Sequence, residues 1–358
     1  MSELKPAVRN NGIAKKWSEF KALSGRDKGR FIGNWLLDHA MIIIILLLVI
    51  YIQIQRPAFL STASIINIIQ LTATRLPIAL GIAGAIILTG TDLSAGRVVG
   101  LGGFVAAILL QKTGAANRFL EGGAAWPVFA VVLIVLAVGA AIGFINGFCV
   151  SKFKLHPFIV TLSTQLITYG IYLTVSNAAQ ISNLDESYTT GFVTQPMFKL
   201  GNTPVMSYVA LAVVVTAIMW FIWNKTTFGK NMFAVGSNEE AARVSGVNVM
   251  AVIIGVFMLA GATYGYTGFV EAARMGASTG TIGLNYELDA IAACVIGGVS
   301  FVGGIGKISG VVLGVLLMQL IMSGMTFLGI SGNTTYIIKG AVILVACAID
   351  MRKYLTKK

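Results

Sequence analysis

An all-α integral membrane protein with about ten spans is the fold this sequence predicts, and three observations predict it. Hydrophobic residues make up 56% of the 358, charged residues only 11%, and the mean hydropathy is +0.83; a soluble domain carries about 25% charge. Apolar stretches of about 20 residues, the length that crosses a bilayer, recur along the chain between short polar breaks. The formal charge of +12 is concentrated in flanks. Lys5, Arg9, Lys15, Lys16, Lys21, Arg26, Lys28 and Arg30 precede the first span, and Arg352, Lys353, Lys357 and Lys358 follow the last. Basic ends beside apolar spans orient a protein with those ends in the cytoplasm, which favours a lipid-facing reading of the charge over nucleic-acid binding.

The predicted spans are 36–54, 74–90, 96–112, 126–150, 157–176, 206–224, 250–271, 287–302, 308–329 and 334–350. This gives a basic N-terminal segment (1–35), a transmembrane domain (36–350) and a basic tail (351–358), both ends cytoplasmic. Within the N-terminal segment Ile13, Trp17 and Phe20 recur at helical spacing among lysines, as in a short helix lying on anionic lipid. The first span is retained rather than cleaved, because no small-residue cleavage site follows it before Arg56. Alternation places 151–156 (Lys152, Lys154) and 225–249 (Lys225, Lys230, Arg243) in the cytoplasm and the acidic 177–205 segment (Asp185, Glu186) outside, so charge and parity agree. Pro157, after His156, suits the first turn of the fifth span. Met318, Met322 and Met325 share one face of the ninth, where packing is the expected role.

Between the second and third spans lies Thr89-Gly90-Thr91-Asp92-Leu93-Ser94-Ala95-Gly96-Arg97. An acid and a base at membrane depth must face protein, water or a counter-ion, and the Gly/Ser content lets the backbone leave the helix there. Asp92-Leu93-Ser94-Ala95 with Gly102-Gly103 is echoed by Glu287-Leu288-Asp289-Ala290 with Gly297-Gly298 at the same spacing. In the predicted topology the two copies have opposite directions, as in an inverted repeat whose broken helices meet on a transport path. Asp92, Ser94, Arg97, Glu287 and Asp289 are therefore candidates to line or support such a path. The alternative role for Asp92 is structural: capping the helix that begins at Ser94, or pairing with Arg97. Arg75, Glu271, Arg274 and Lys339 sit near span ends, placed to snorkel or to pair across helices.

Enzymatic chemistry finds no support. Gly303-Gly304-Ile305-Gly306-Lys307-Ile308-Ser309 resembles a phosphate loop, but GxxxxGK[ST] needs Gly at Phe301 and Ser or Thr at Ile308. His39 and His156 have no partner at metal-ligand spacing, and Cys149, Cys294 and Cys347 form no disulfide or metal pattern. In the segment 224–248, Ser237 or Asn238 can cap a helix Glu239–Ser245, with Glu239 and Glu240 at its positive end and Gly246 ending it. Ala241, Ala242 and Ser245 give that helix a small-sided surface for a partner's groove.

Asn-Lys-Thr-x-Phe-Gly-Lys-Asn-x-Phe-Ala-x-Gly-x-Asn-x-Glu-Ala-Ala-x-Val-Ser-Gly-Val, from Asn224, resembles the cytoplasmic loop of the ribose/galactoside class of ABC-importer permeases. Gly90–Arg97 and Tyr286–Cys294 through Phe301 resemble that family's other signatures, and the likeness runs from about residue 40 to the end. It implies a homodimeric permease of the vitamin-B12-importer-like (type II) arrangement. It also implies a separate ATPase that carries the ATP and Mg, a soluble sugar-binding protein, and no cofactor or catalytic site on this chain. Gly236, Asn238, Glu239, Glu240, Ala241, Ala242, Arg243, Ser245 and Gly246 would then form the ATPase-coupling element, and the expected cargo is a galactoside or related monosaccharide. The long basic extension before residue 36 and the 177–205 loop depart from the pattern. The alternatives are an ion-coupled sugar carrier, in which Asp92 would be the coupling acid, a permease for ribose, another sugar or a nucleoside, and a non-transporting scaffold.

Overall fold

A computed structural model describes residues 40–115, 118–120 and 126–355. The chain divides into two units, Met1–Leu48 and Val49–Lys358; the first helix crosses that boundary, and the packing and site described below belong to the second unit. The basic N-terminal segment, with its predicted surface helix, and the last residues of the tail lie outside the described residues.

The helices are α1 (Ala40–Gln55), α2 (Thr62–Ile87), α3 (Ala95–Leu109), α4 (Val128–Phe153), α5 (Pro157–Ser176), α6 (Ser207–Lys225), α7 (Thr227–Ser237), α8 (Glu239–Val244), α9 (Val249–Met275), α10 (Tyr286–Ile296), α11 (Ile308–Phe327) and α12 (Gly332–Leu355). One antiparallel hairpin, β1 (Pro196–Leu200) and β2 (Thr203–Met206), precedes α6. Every predicted span falls on one of these helices. Among the described residues six helices are long and apolar enough to cross a membrane: α2, α4, α5, α6, α9 and α11.

Two predicted limits are corrected. The second span begins at Thr62, not at 74, because the polar residues that hid its first half are satisfied inside the protein. Ser61 caps it by accepting from the Ser64 amide, and the Thr72 and Thr74 hydroxyls donate to the carbonyls of Ile68 and Leu71. Gln70 donates to the Pro204 carbonyl and accepts from the Tyr208 hydroxyl. The eighth span shrinks to the 11 residues of α10, stopped where Gly298 takes φ +82. Of the predicted loop regions, 177–205 contains β1 and a buried Tyr188 whose hydroxyl donates to the Phe269 carbonyl.

The packing is built on α9. It lies against α2, α3 and α4, while α2 lies in turn against α10 and α11. Contact between α4 and α9 is backbone to backbone: a Cβ at Gly139, Gly143, Gly261 or Gly265 would overlap main-chain atoms of the opposing helix. Gly139, Gly143 and Gly147 recur every four residues, the spacing that clears one helix face for close approach in lipid, where dispersion and shape supply the association energy. Met318 and Met325 are buried in the core as packing predicts.

Candidate functional site

The segment between α2 and α3 is non-helical over 89–94, as its Gly, Thr and Ser content predicts. Asp92 is 1% exposed, and its Oδ1 accepts from the Ser94 amide at 3.0 Å and the Ser94 hydroxyl at 2.6 Å. This local bracket ends the extended segment and starts α3 at Ala95. The foreseen helix cap is not made: Ser94 occupies the N-cap position of α3 with no side-chain capping bond, and Asp92 instead holds the Ser94 amide and hydroxyl just ahead of the helix. The foreseen pair with Arg97 does not form: Arg97 Nη1 donates to the Gly280 carbonyl at 3.1 Å, and its guanidinium lies 3.8 Å from the centre of the Tyr169 ring.

A directed hydrogen-bond chain runs outward from the carboxylate. Asn146 Nδ2 on α4 donates to Ser94 Oγ at 3.0 Å, and Thr164 on α5 donates to Asn146 Oδ1 at 2.6 Å. Thr161, one turn earlier on α5, accepts from the Leu93 amide at 3.1 Å and donates to the Thr91 carbonyl at 3.2 Å. The break is therefore fastened to α4 and α5 by Asn146, Thr161 and Thr164, whose bonds pair buried polar groups that would otherwise be costly to keep out of water. Asn146, Thr161 and Thr164 were not legible as members of this site, because isolated Asn and Thr residues in apolar helices carry no spacing signal.

The second copy of the echo meets the first. Glu287, 5% exposed near the start of α10, packs so closely on Gly96 that no Cβ fits there, and Gly283 lies against Gly96 and Ile282 against Gly100. Only glycine at 96 and 100 admits the 277–285 segment alongside α3. The correspondence is not residue for residue: Gly102-Gly103 lie inside α3, whereas Gly297-Gly298 end α10. Asp289 is ion-paired with Lys339 of α12 at 2.8 Å, and Arg75 approaches Glu271 across α2 and α9 at 3.8 Å.

On the segment between α6 and α9 the predicted helix is present as α8, preceded by a second helix, α7. Asn238 is the cap, accepting from the Ala241 amide at 2.9 Å, and Gly246 leaves the helix at φ +83. Two of the predicted coupling residues, Ala242 and Gly236, face inward. Ala242 is 5% exposed, and Gly236 sits against the Ile87 carbonyl and the Gly304 amide, where no side chain fits. They seat the helix pair on the body of the protein. The outward face is Glu240, Ala241, Arg243, Ser245 and Gly246, and also Val244, 89% exposed, which the sequence reading did not single out. Glu239 accepts from Lys154 at 2.8 Å and from Arg243 at 2.6 Å. The Lys154 hydrogen bond, with the charges of Lys154 and Arg243, holds the Glu239 carboxyl below the usual carboxylate range. Lys154 belongs to the connection between α4 and α5, so α8 is tied to the two helices that hold the Asp92 break.

The glycine-rich 297–307 stretch wraps the end of α2. Gly304 donates to the Ile87 carbonyl at 2.9 Å, and Gly303 packs against Thr89. The positive φ values of Gly298, Gly303 and Gly304 explain its composition without a phosphate.

Six helices of membrane-crossing length packed around a buried polar break, with an exposed capped helix tied to that break, are the build of a multi-pass membrane protein, and comparison with known proteins gives its class as a permease. The chain belongs to the family of branched-chain amino acid transport system permease components, whose model matches residues 64–347. The galactose/methyl galactoside import permease proteins of Salmonella typhimurium and of Escherichia coli K12 are 44% and 45% identical to it over 343 residues, 94% of this chain and 100% of each relative. The ribose import permease protein of Escherichia coli K12 is 33% identical over 328 residues, 90% of this chain and 96% of the relative. No solved structure matches the chain significantly.

Proposed function

We propose that this chain is the membrane subunit of an ATP-driven importer for galactose, methyl galactoside or a related monosaccharide, and that it works by alternating access. The observation that carries this reading is the 44–45% identity to import permeases for those sugars along the whole length of the relatives. The exposed, capped α8 between two spans supports it at the level of mechanism. We read the protein as ten spans, 36–350, in the vitamin-B12-importer-like arrangement, with α2 to α4 and α9 to α11 as inverted halves. The 1–35 and 351–358 segments are then cytoplasmic, in the bacterial cytoplasmic membrane. Two copies pair; a separate ATPase binds ATP and Mg and seats on the outward face of α8; a soluble sugar-binding protein delivers cargo. No cofactor is assigned to this chain.

The geometry suggests how force travels. When the ATPase subunits close, α8 moves, and the Glu239–Lys154 bond passes the motion to the α4–α5 connection. Thr161 and Thr164 carry it along α5 to Thr91, Leu93 and, through Asn146, to Ser94 and Asp92. The break shifts against Gly283 and Glu287, and the path opens on one side as it closes on the other. A neutral sugar needs matched donors and acceptors along that path rather than a charge clamp. Asp92 and Ser94, fully engaged with each other, support the path; Arg97 and Glu287 border it; Asp289, ion-paired to Lys339, holds α12 to α10.

The test is co-purification. The partner ATPase should purify with the wild-type chain and be lost with Ala241→Arg or Val244→Asp, while the variants keep the wild-type melting temperature in detergent. An ATPase that stays bound to both variants would remove α8 from the coupling role.

A further inference from the structure

A second charge cluster sits at the other end of α9, one turn before that helix stops, and the coupling chain leaves it unused. Glu271 is fully buried. Its Oε2 accepts from Arg274 Nε at 3.0 Å and Nη2 at 2.8 Å. Its Oε1 accepts no hydrogen bond, and Arg75 Nε of α2 stands 3.8 Å from it. Arg75 Nη1 is likewise buried without an acceptor, and the guanidinium lies 3.2 Å from the centre of the Tyr286 ring. Tyr286 opens α10, immediately after Asn285 at φ +62.

An ion pair kept for stability alone would be closed, because a buried charged oxygen without a donor loses its hydration for nothing. Buried pairs are in any case seldom more stabilising than apolar packing of the same volume. Here Glu271 Oε1 and Arg75 Nη1 each lack a hydrogen bond, and the ion pair between the two side chains stands open, with Nε 3.8 Å from Oε1. A hydrogen bond needs about 2.8 Å, so an approach of about 1 Å between α2 and α9 would make it, within the 1–2 Å shifts that packed helices undergo between states. Arginine is the side chain suited to both positions, since its planar group stacks on an aromatic face and donates in a fork to a carboxylate.

We propose that Arg75 is a two-position gating contact. It stacks on Tyr286 in the conformation described here and donates to Glu271 Oε1 in the alternate one, so that the entry of α10 is held by α2 in one state and released in the other. The inference rests on the permease reading and adds a positioning residue to it. Glu271 is the fixed pole, anchored by Arg274. Tyr286 is the moving one, because it starts a short helix beside Glu287 and the 277–285 segment.

The experiment is reconstitution of the full chain in proteoliposomes with the partner ATPase and sugar-binding protein, reading sugar taken up per ATP hydrolysed and the amount of assembled complex. Arg75→Lys keeps the charge beside Glu271 but loses the stacking plane and the fork. It is expected to lower sugar per ATP at least tenfold, with assembly and ATP hydrolysis unchanged, and Glu271→Gln is expected to do the same. Reduced assembly in both variants, or unchanged sugar per ATP in the molecules that do assemble, would show a structural role and overturn the proposal. Absence of uptake by the wild type would instead overturn the permease reading beneath it.

Discussion

At Asp92 the sequence raised the right question and the structure answered it with residues the sequence could not mark. A carboxylate between apolar runs was legible at once as a group that needed a partner. Its direct partner, Ser94, lies two residues away and was visible. Asn146 and Thr164, which complete the chain, lie on two other helices at separations no periodicity encodes. Glu239 shows the same limit, since its i+4 partner Arg243 was readable and Lys154 was not. A prediction on pH belongs here. The folded Glu239 carboxyl lies below its ordinary value of 4.5, so its contribution is present above that value and is lost as pH falls through the lower, folded one. Hydrogen exchange of the α8 amides should therefore be constant from pH 7 to about 4.5 after correction for intrinsic rates, and should quicken only below that range. Glu239→Gln should quicken it between pH 7 and about 4.5, by the equivalent of about 0.5–1 kcal/mol, because Glu239 is partly solvated and its pairs are screened, and the difference from wild type should vanish as pH falls through the folded value.

Among the elements, helix existence was legible and helix limits were not. Apolar runs located α4, α5, α6, α9 and α11 to within a few residues, because lipid-facing surface forces a continuous hydrophobic pattern. The apolar pattern marks only the second half of α2 because its first half is polar, and those polar groups are satisfied by its own backbone and by the β2–α6 region. The predicted eighth span runs past α10 because its apolar pattern continues beyond Gly297 and Gly298, where the helix ends. The Gly139–Gly143–Gly147 row was visible in the sequence as glycine content, and only the opposing Gly261 and Gly265 reveal its function as a seam. Gly143→Leu should destabilise the protein by about 3 kcal/mol or more, since overpacking of a backbone contact cannot be relieved by a rotamer change. Gly170→Leu on α5, where nothing lies within 4 Å, should leave the melting temperature in detergent within about 1 °C of wild type. Equal losses at both positions would deny the seam its special place.

For the whole molecule, the sequence conveyed class because bilayer thickness acts on every span at once. Coupling between distant sites was out of reach, since it depends on which helix ends meet. The structure brings together α8, the α4–α5 connection and the Asp92 break, and it packs α2 against α10 and α9 against α3. Under the proposed function, these are the parts through which a partner ATPase would drive alternating access. The central claim is that ATP hydrolysis on a partner drives sugar through this subunit. The direct measurement is sugar uptake by cells or proteoliposomes carrying the chain with its ATPase and binding protein, before and after ATP depletion and before and after a protonophore. Uptake that stops on ATP depletion and survives the protonophore is the predicted result; uptake that survives ATP depletion and stops with the protonophore would contradict the account and make Asp92 an ion-coupling acid.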